Sequence, residues 1–136
     1  MTLLKGTGTA LVAAMLVGGA LAAQYAPPKW PGVSRAVLLQ RDLEIPGREA
    51  FQIRVDFTPG SAASRHRHPG AEIVYVLTGT LEYRLDGAAP VTLKAGDALF
   101  IPAGVAHAVK NVGEGAASEL GTYVVEKGKP LTVAAE

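Results

Sequence analysis

Residues 51–87 read FQIRVDFTPGSAASRHRHPGAEIVYVLTGTLEYRLDG. Phe51, Ile53, Val55 and Phe57 alternate with Gln52, Arg54 and Asp56, the period-two pattern of a half-buried strand. Pro59-Gly60 interrupts it. Residues 73–77 form an apolar, β-branched run, and 81–85 alternate again before Asp86-Gly87, a tight-turn dipeptide. The same grammar continues outward, with short strands read over 91–93, 98–101, 105–109 and 121–125. Turns at Ala95-Gly96, Pro102-Ala-Gly104 and 113–115 separate them. Evenly spaced short strands without a long amphipathic window predict an all-β sandwich or barrel. The one window compatible with a helix is 36–42. Phe57, Val74, Val76, Phe100, Val105 and Val109 are expected to line the interior or its base.

Composition narrows the function. The chain has 136 residues, a formal charge of +1 and no cysteine. That excludes a disulfide scaffold, a thiolate metal site and a cysteine nucleophile. No run of lysine or arginine suggests nucleic acid as a partner. The N-terminus differs from the rest: Lys5, an apolar run over 11–17 and the small-residue site Ala20-Leu-Ala22 have the layout of a secretory signal peptide. The run is short for a bilayer span of about 20 apolar residues, so no membrane anchor is expected after cleavage. The expected organisation is a leader over 1–22, an extended arm over 23–33, a barrel over 34–126 and a tail over 127–136. The expected location is periplasmic or secreted. In the arm, Pro27-Pro28 and Pro31 disfavour helix and central strand, and Trp30 reads as its anchor on the barrel. An arm poor in main-chain donors also suits crossing to a partner, so a homodimer is expected.

The chain has three histidines, His66, His68 and His107. On a strand, residues i and i+2 share a face, so His66 and His68 can reach one ion while Arg65 and Arg67 point away. Pro69-Gly70 then bends the chain, and Glu72 returns toward the imidazoles. His107 follows a second turn. Three imidazoles and a carboxylate form a nitrogen/oxygen set for a divalent first-row metal: iron, manganese, copper, nickel or zinc.

Two spaced motifs carry these residues. Gly60-x5-His66-x-His68-x3-Glu72-x6-Gly79 resembles the first motif of the cupin superfamily. Gly96-x5-Pro102-x-Gly104-x2-His107-x3-Asn111 resembles the second. The glycines read as strand-end residues suited to positive φ, and Asn111 as a brace for the turn into Val112-Gly113. The resemblance implies a jelly-roll barrel holding one metal through His66, His68, Glu72 and His107. Its likeness to small quercetin-dioxygenase-like cupins implies oxygenase-like chemistry on a small oxygen-bearing molecule. Two other readings stay open: a metal-dependent binding or sensing module without turnover, and a metal-dependent isomerase or lyase.

Overall fold

The computed structural model describes residues 26–136. The expected leader and the first residues of the arm lie outside the described residues. Ten strands follow in order: β1 (Val33–Asp42), β2 (Arg48–Phe57), β3 (Ala62–Arg67), β4 (Gly70–Thr78), β5 (Thr80–Leu85), β6 (Val91–Lys94), β7 (Ala98–Ile101), β8 (His107–Asn111), β9 (Ala117–Glu126) and β10 (Val133–Ala134). They form two antiparallel five-stranded sheets, ordered β1-β2-β9-β4-β7 and β10-β3-β8-β5-β6. No helix forms among the described residues. The all-β architecture expected from the strand spacing, and the jelly roll that the resemblance implies, are both observed.

Alternation decides which side chains fill the space between the sheets. Phe57, Val74, Val76, Leu81, Ile101 and Val125 are each at most 1% exposed. Full burial of such a side chain contributes about 1.5–3 kcal/mol, so these inward positions drive the two sheets together. Phe100, expected inside, lies on the opposite parity of β7. Its neighbour Ile101 takes the core, while Phe100 pairs with Ile73 on the outer face and is 59% exposed.

The window 36–42 is strand, not helix. It belongs to β1, an edge strand paired only with β2, with a bulge between Val37 and Leu39. Residues 36–42 are exposed along their whole length. No buried face imposes a period of two there, which is why Val37-Leu38-Leu39 carries no strand signature.

Two glycines fix the chain path around the future site. Gly79 joins β4 to β5 with φ +75°, and a Cβ there would lie 2.6 Å from the Ala117 Cβ. Gly70 opens β4 against β9, where a Cβ would meet the Val124 carbonyl oxygen at 2.1 Å. Any side chain at Gly70 would push β4, and Glu72 with it, away from β9. Of the other motif glycines, Gly60, Gly96 and Gly104 also have positive φ, as expected.

Asn111 braces the turn after β8. Its Nδ2 donates to the carbonyls of Phe57 (3.3 Å), Thr58 (3.2 Å) and Gly115 (2.9 Å), and its Oδ1 accepts from the Gly113 amide at 3.0 Å. One buried side chain thus ties the end of β2 to the loop before β9. Asn111→Ala strands these groups without partners and should destabilise the fold by about 2–4 kcal/mol, measured by denaturant unfolding. A loss below about 0.5 kcal/mol, the level of an ordinary surface substitution, would contradict the bracing role.

Candidate metal centre

The four residues singled out by spacing come together between the two sheets. His66 on β3 sits directly opposite His107 on β8 in the strand register, and their rings lie 4.3 Å apart. His68 follows β3 as the chain turns, with its ring 5.0 Å from His66 and 5.2 Å from His107. Glu72 faces them from β4, in the other sheet. All four are buried, and the three histidines each offer a ring nitrogen within 4.8 Å of the others. Arg65 and Arg67 are exposed, and Arg65 pairs with Asp86, as strand alternation required.

Each imidazole is held from behind by a main-chain carbonyl. His66 Nδ1 meets Ser64 O at 2.7 Å, His68 Nδ1 meets Leu131 O at 2.7 Å, and His107 Nδ1 meets Val105 O at 3.0 Å. A carbonyl only accepts, so the partners assign the ring hydrogen to Nδ1 in all three. In the neutral ring Nε2 is then left with a lone pair, and the carbonyl contact fixes the ring orientation.

On the other side stands a carboxylate. His68 Nε2 and His107 Nε2 lie 3.2 and 3.3 Å from Glu72 Oε2. Between neutral rings and the carboxylate these are approaches of one lone pair to another, not hydrogen bonds. His68 Nε2 and Glu72 Oε2 are buried without a hydrogen-bond partner. Such an arrangement is unfavourable unless a cation lies between the groups. The neutral-nitrogen and carboxylate set suits a divalent first-row ion. The space fits as well: the cavity among these groups has a volume of about 20 Å³, the scale of one small bound species.

The charges around the cavity agree. Burial, then the neighbouring His107, push His66 down to about 3, so it stays a neutral donor near physiological pH.

The sequence reading placed no second polar group here, and the structure supplies several. Tyr123, beside Glu72 in the strand register, packs edge-on against His68 at 4.8 Å. Glu119 lines the same cavity and accepts a hydrogen bond from the Tyr83 hydroxyl. The two-residue repeat Glu119, Gly121, Tyr123, Val125 along β9 is the signal that would have exposed both, had the strand been extended back from 121. Residues 127–136, read as a tail, return to the barrel: β10 pairs with β3 beside His66, Leu131 supports His68, and Thr132 lines the cavity. Nothing local in the sequence announces these long-range contacts. Trp30 does anchor the arm, tilting over His66 with ring centroids 4.8 Å apart. Pro28 and Trp30 thus contact the barrel of the same chain.

Burial, then the Glu72 charge, push the Glu119 carboxyl up to about 8, against the lowering effect of the Tyr83 hydrogen bond. Folded Glu119 therefore keeps its proton where the unfolded residue, near 4.5, has lost it. Between those values the folded state binds more protons, so this residue makes stability fall as pH rises. Glu119→Gln removes the effect. In chelator-treated protein, the stability gained by Glu119→Gln over the parent should grow between about pH 5 and pH 8, by up to about 1.4 kcal/mol per unit. A pH-independent difference in denaturant unfolding would contradict a protonated Glu119.

Comparison with known proteins agrees with this geometry. The cupin domain pattern matches residues 53–130. Germin-like protein subfamily 2 member 2 of Arabidopsis thaliana is 36% identical over 88 residues, 59% of this chain and 40% of that protein. The chain spans less than half the length of such curated relatives. Among solved structures, a recombinant oxalate oxidase in complex with glycolate superposes with a TM-score of 0.62 at 27% identity, covering 76% of this chain and 55% of that one. The dimethylsulfoniopropionate lyase DddQ of Ruegeria pomeroyi superposes with a TM-score of 0.63 at 23% identity, covering 76% and 51%, a likeness of fold. Strand order, motif spacing and the family match converge: this chain belongs to the cupin domain family.

Proposed function

We propose that the chain is a metal-dependent enzyme holding one divalent transition ion through Nε2 of His66, His68 and His107 and the carboxylate of Glu72, and acting by oxygenase-like chemistry on a small oxygen-bearing molecule. The observation that carries this reading is the convergence of three fixed nitrogen lone pairs and an unpartnered buried carboxylate oxygen on one small cavity. Iron, manganese, copper, nickel and zinc all suit the donor set; when bound, such an ion supplies Lewis acidity, and the redox-active members also one-electron chemistry.

The chain's own residues have definable parts in this reading. Val55, Phe57 and Val109 wall the cavity and exclude water. Trp30 covers His66 from the arm. Tyr123, whose phenol burial and the Glu72 charge keep protonated, supports the carboxylate side. Tyr83 orients Glu119, whose carboxyl group lines the cavity and would supply a proton-transfer group there. The narrowness of the cavity favours a second reading, a binding or sensing module without turnover; isomerase or lyase chemistry would use the same ion without dioxygen. Oxygen uptake by metal-loaded protein offered phenolic or diketone compounds separates these: stoichiometric uptake supports the oxygenase reading, and product without uptake the isomerase or lyase.

The periplasmic or secreted location read from residues 1–22 belongs to the same proposal. So does a homodimer, now supported by the apolar outer face formed by Ile73, Tyr75 and Phe100, which are 46–59% exposed.

The ligand assignment has a direct check. His66→Ala, His68→Ala and His107→Ala should each lower metal affinity by more than the ~10–100-fold typical of losing a supporting hydrogen bond. Arg65→Ala should keep one ion per chain. Retention of a full equivalent by any of the three histidine variants, read by elemental analysis after dialysis, would contradict the set.

A further inference from the structure

The metal cavity has a neighbour. A recess of about 230 Å³, walled by the apolar side chains of Pro27, Val37, Ile53 and Leu131, lies beside it, and the two hollows share Arg35, Tyr123 and Thr132. Arg35 stands at this waist. It is one of two half-buried residues on β1; the rest of the strand is exposed. Its guanidinium lies 4.6 Å from the centre of the Trp30 ring and donates to the Pro28 carbonyl. The other face of the site is close, because Trp30 also packs on His66 at 4.8 Å.

Of the arginines without an ion pair among the described residues, Arg35, Arg41 and Arg67, Arg35 alone is partly buried. Arg48, Arg54, Arg65 and Arg84 each pair with a carboxylate at the surface. Among the described residues Arg35 forms no ion pair, although burial disfavours its charge. A guanidinium offers five N–H donors in a planar fork matched to two carboxylate oxygens. One contact to a carbonyl leaves that fork largely free, at the junction of a polar chamber and an apolar recess.

We propose that Arg35 is a carboxylate-binding residue and that the ligand is a small carboxylic acid bearing an apolar substituent. The carboxylate sits on Arg35 at the waist, the substituent fills the recess, and an oxygen on the adjacent carbon faces the metal cavity. The last of these placements rests on the metal reading above; the first two do not. The recess sets the class, since it has room for a benzyl or isobutyl group and offers it mostly hydrocarbon. An acid without a substituent would leave it empty.

The test uses the purified, zinc-loaded protein and the emission of Trp30, the only tryptophan in the chain. The probes are 3-phenyllactate, lactate, which lacks the ring, and 2-phenylethanol, which lacks the carboxylate. Saturable quenching by 3-phenyllactate is expected, with lactate and 2-phenylethanol each binding at least about tenfold more weakly. Arg35→Gln should weaken 3-phenyllactate at least about tenfold, and Arg35→Lys should recover part of that loss, with zinc unchanged at one per chain. Equal binding of 2-phenylethanol and 3-phenyllactate by the parent protein would overturn the proposal, even were the Arg35 variants to fold poorly. Unchanged 3-phenyllactate binding in Arg35→Gln would do so too. Stoichiometric zinc without 3-phenyllactate binding defeats the role of Arg35 and leaves the metal site standing. Arg35-dependent binding in protein that takes up no zinc supports Arg35 and defeats the metal reading.

Discussion

A buried carboxylate oxygen faces imidazole nitrogens across 3.2 and 3.3 Å with no proton assigned between them, and much of the barrel interior is arranged around that confrontation. Left to themselves, Glu72, His68 and His107 would repel through their lone pairs. The protein holds them in place by fixing each imidazole from the opposite edge. Those restraints are main-chain carbonyls at Ser64, Val105 and Leu131, so they are supplied by the fold and are insensitive to most side-chain substitutions. A cation at the centre turns the repulsion into coordination.

The two sheets divide the work. β3 and β8 are neighbours in one sheet and bring His66 and His107 side by side. β4 belongs to the other sheet and brings Glu72 across the gap, beside Tyr123 on β9. The site therefore exists only when the sheets are packed, and the apolar side chains between them are indirectly part of it. Gly70 permits the close approach of β4 and β9 that sets the position of Glu72. The last strand closes the arrangement, since Leu131 and Thr132 come back from the C-terminus to support and wall the cavity.

The strand pattern and the grouping of the four candidate ligands were legible because both are local. Alternation over 51–57 and 81–85 reports one buried face, and H-x-H followed by a turn keeps His66, His68 and Glu72 within a few residues of one another, while His107 joins them only through the second motif. Asn111 was legible for the same reason, its Oδ1 accepting from an amide two residues on. What escaped depends on distant chain or on missing burial. β1 lost its strand signature where neither face is covered. Phe100 was placed inside because a short strand of four residues leaves its parity ambiguous. Glu119 and Thr132 enter the site beside residues far away in sequence, and Arg35 through the fold of the arm back onto β1. Glu119 alone had a readable trace, the inward repeat of β9.

The central claim is that three neutral imidazoles present Nε2 to one ion while Nδ1 donates to the backbone. With three histidines in the chain, nitrogen-15 NMR of the zinc-loaded protein near neutral pH can observe all six ring nitrogens separately. The account predicts a proton on Nδ1 in each ring and zinc-shifted Nε2 resonances for His66, His68 and His107. A protonated Nε2 on any of the three would contradict it.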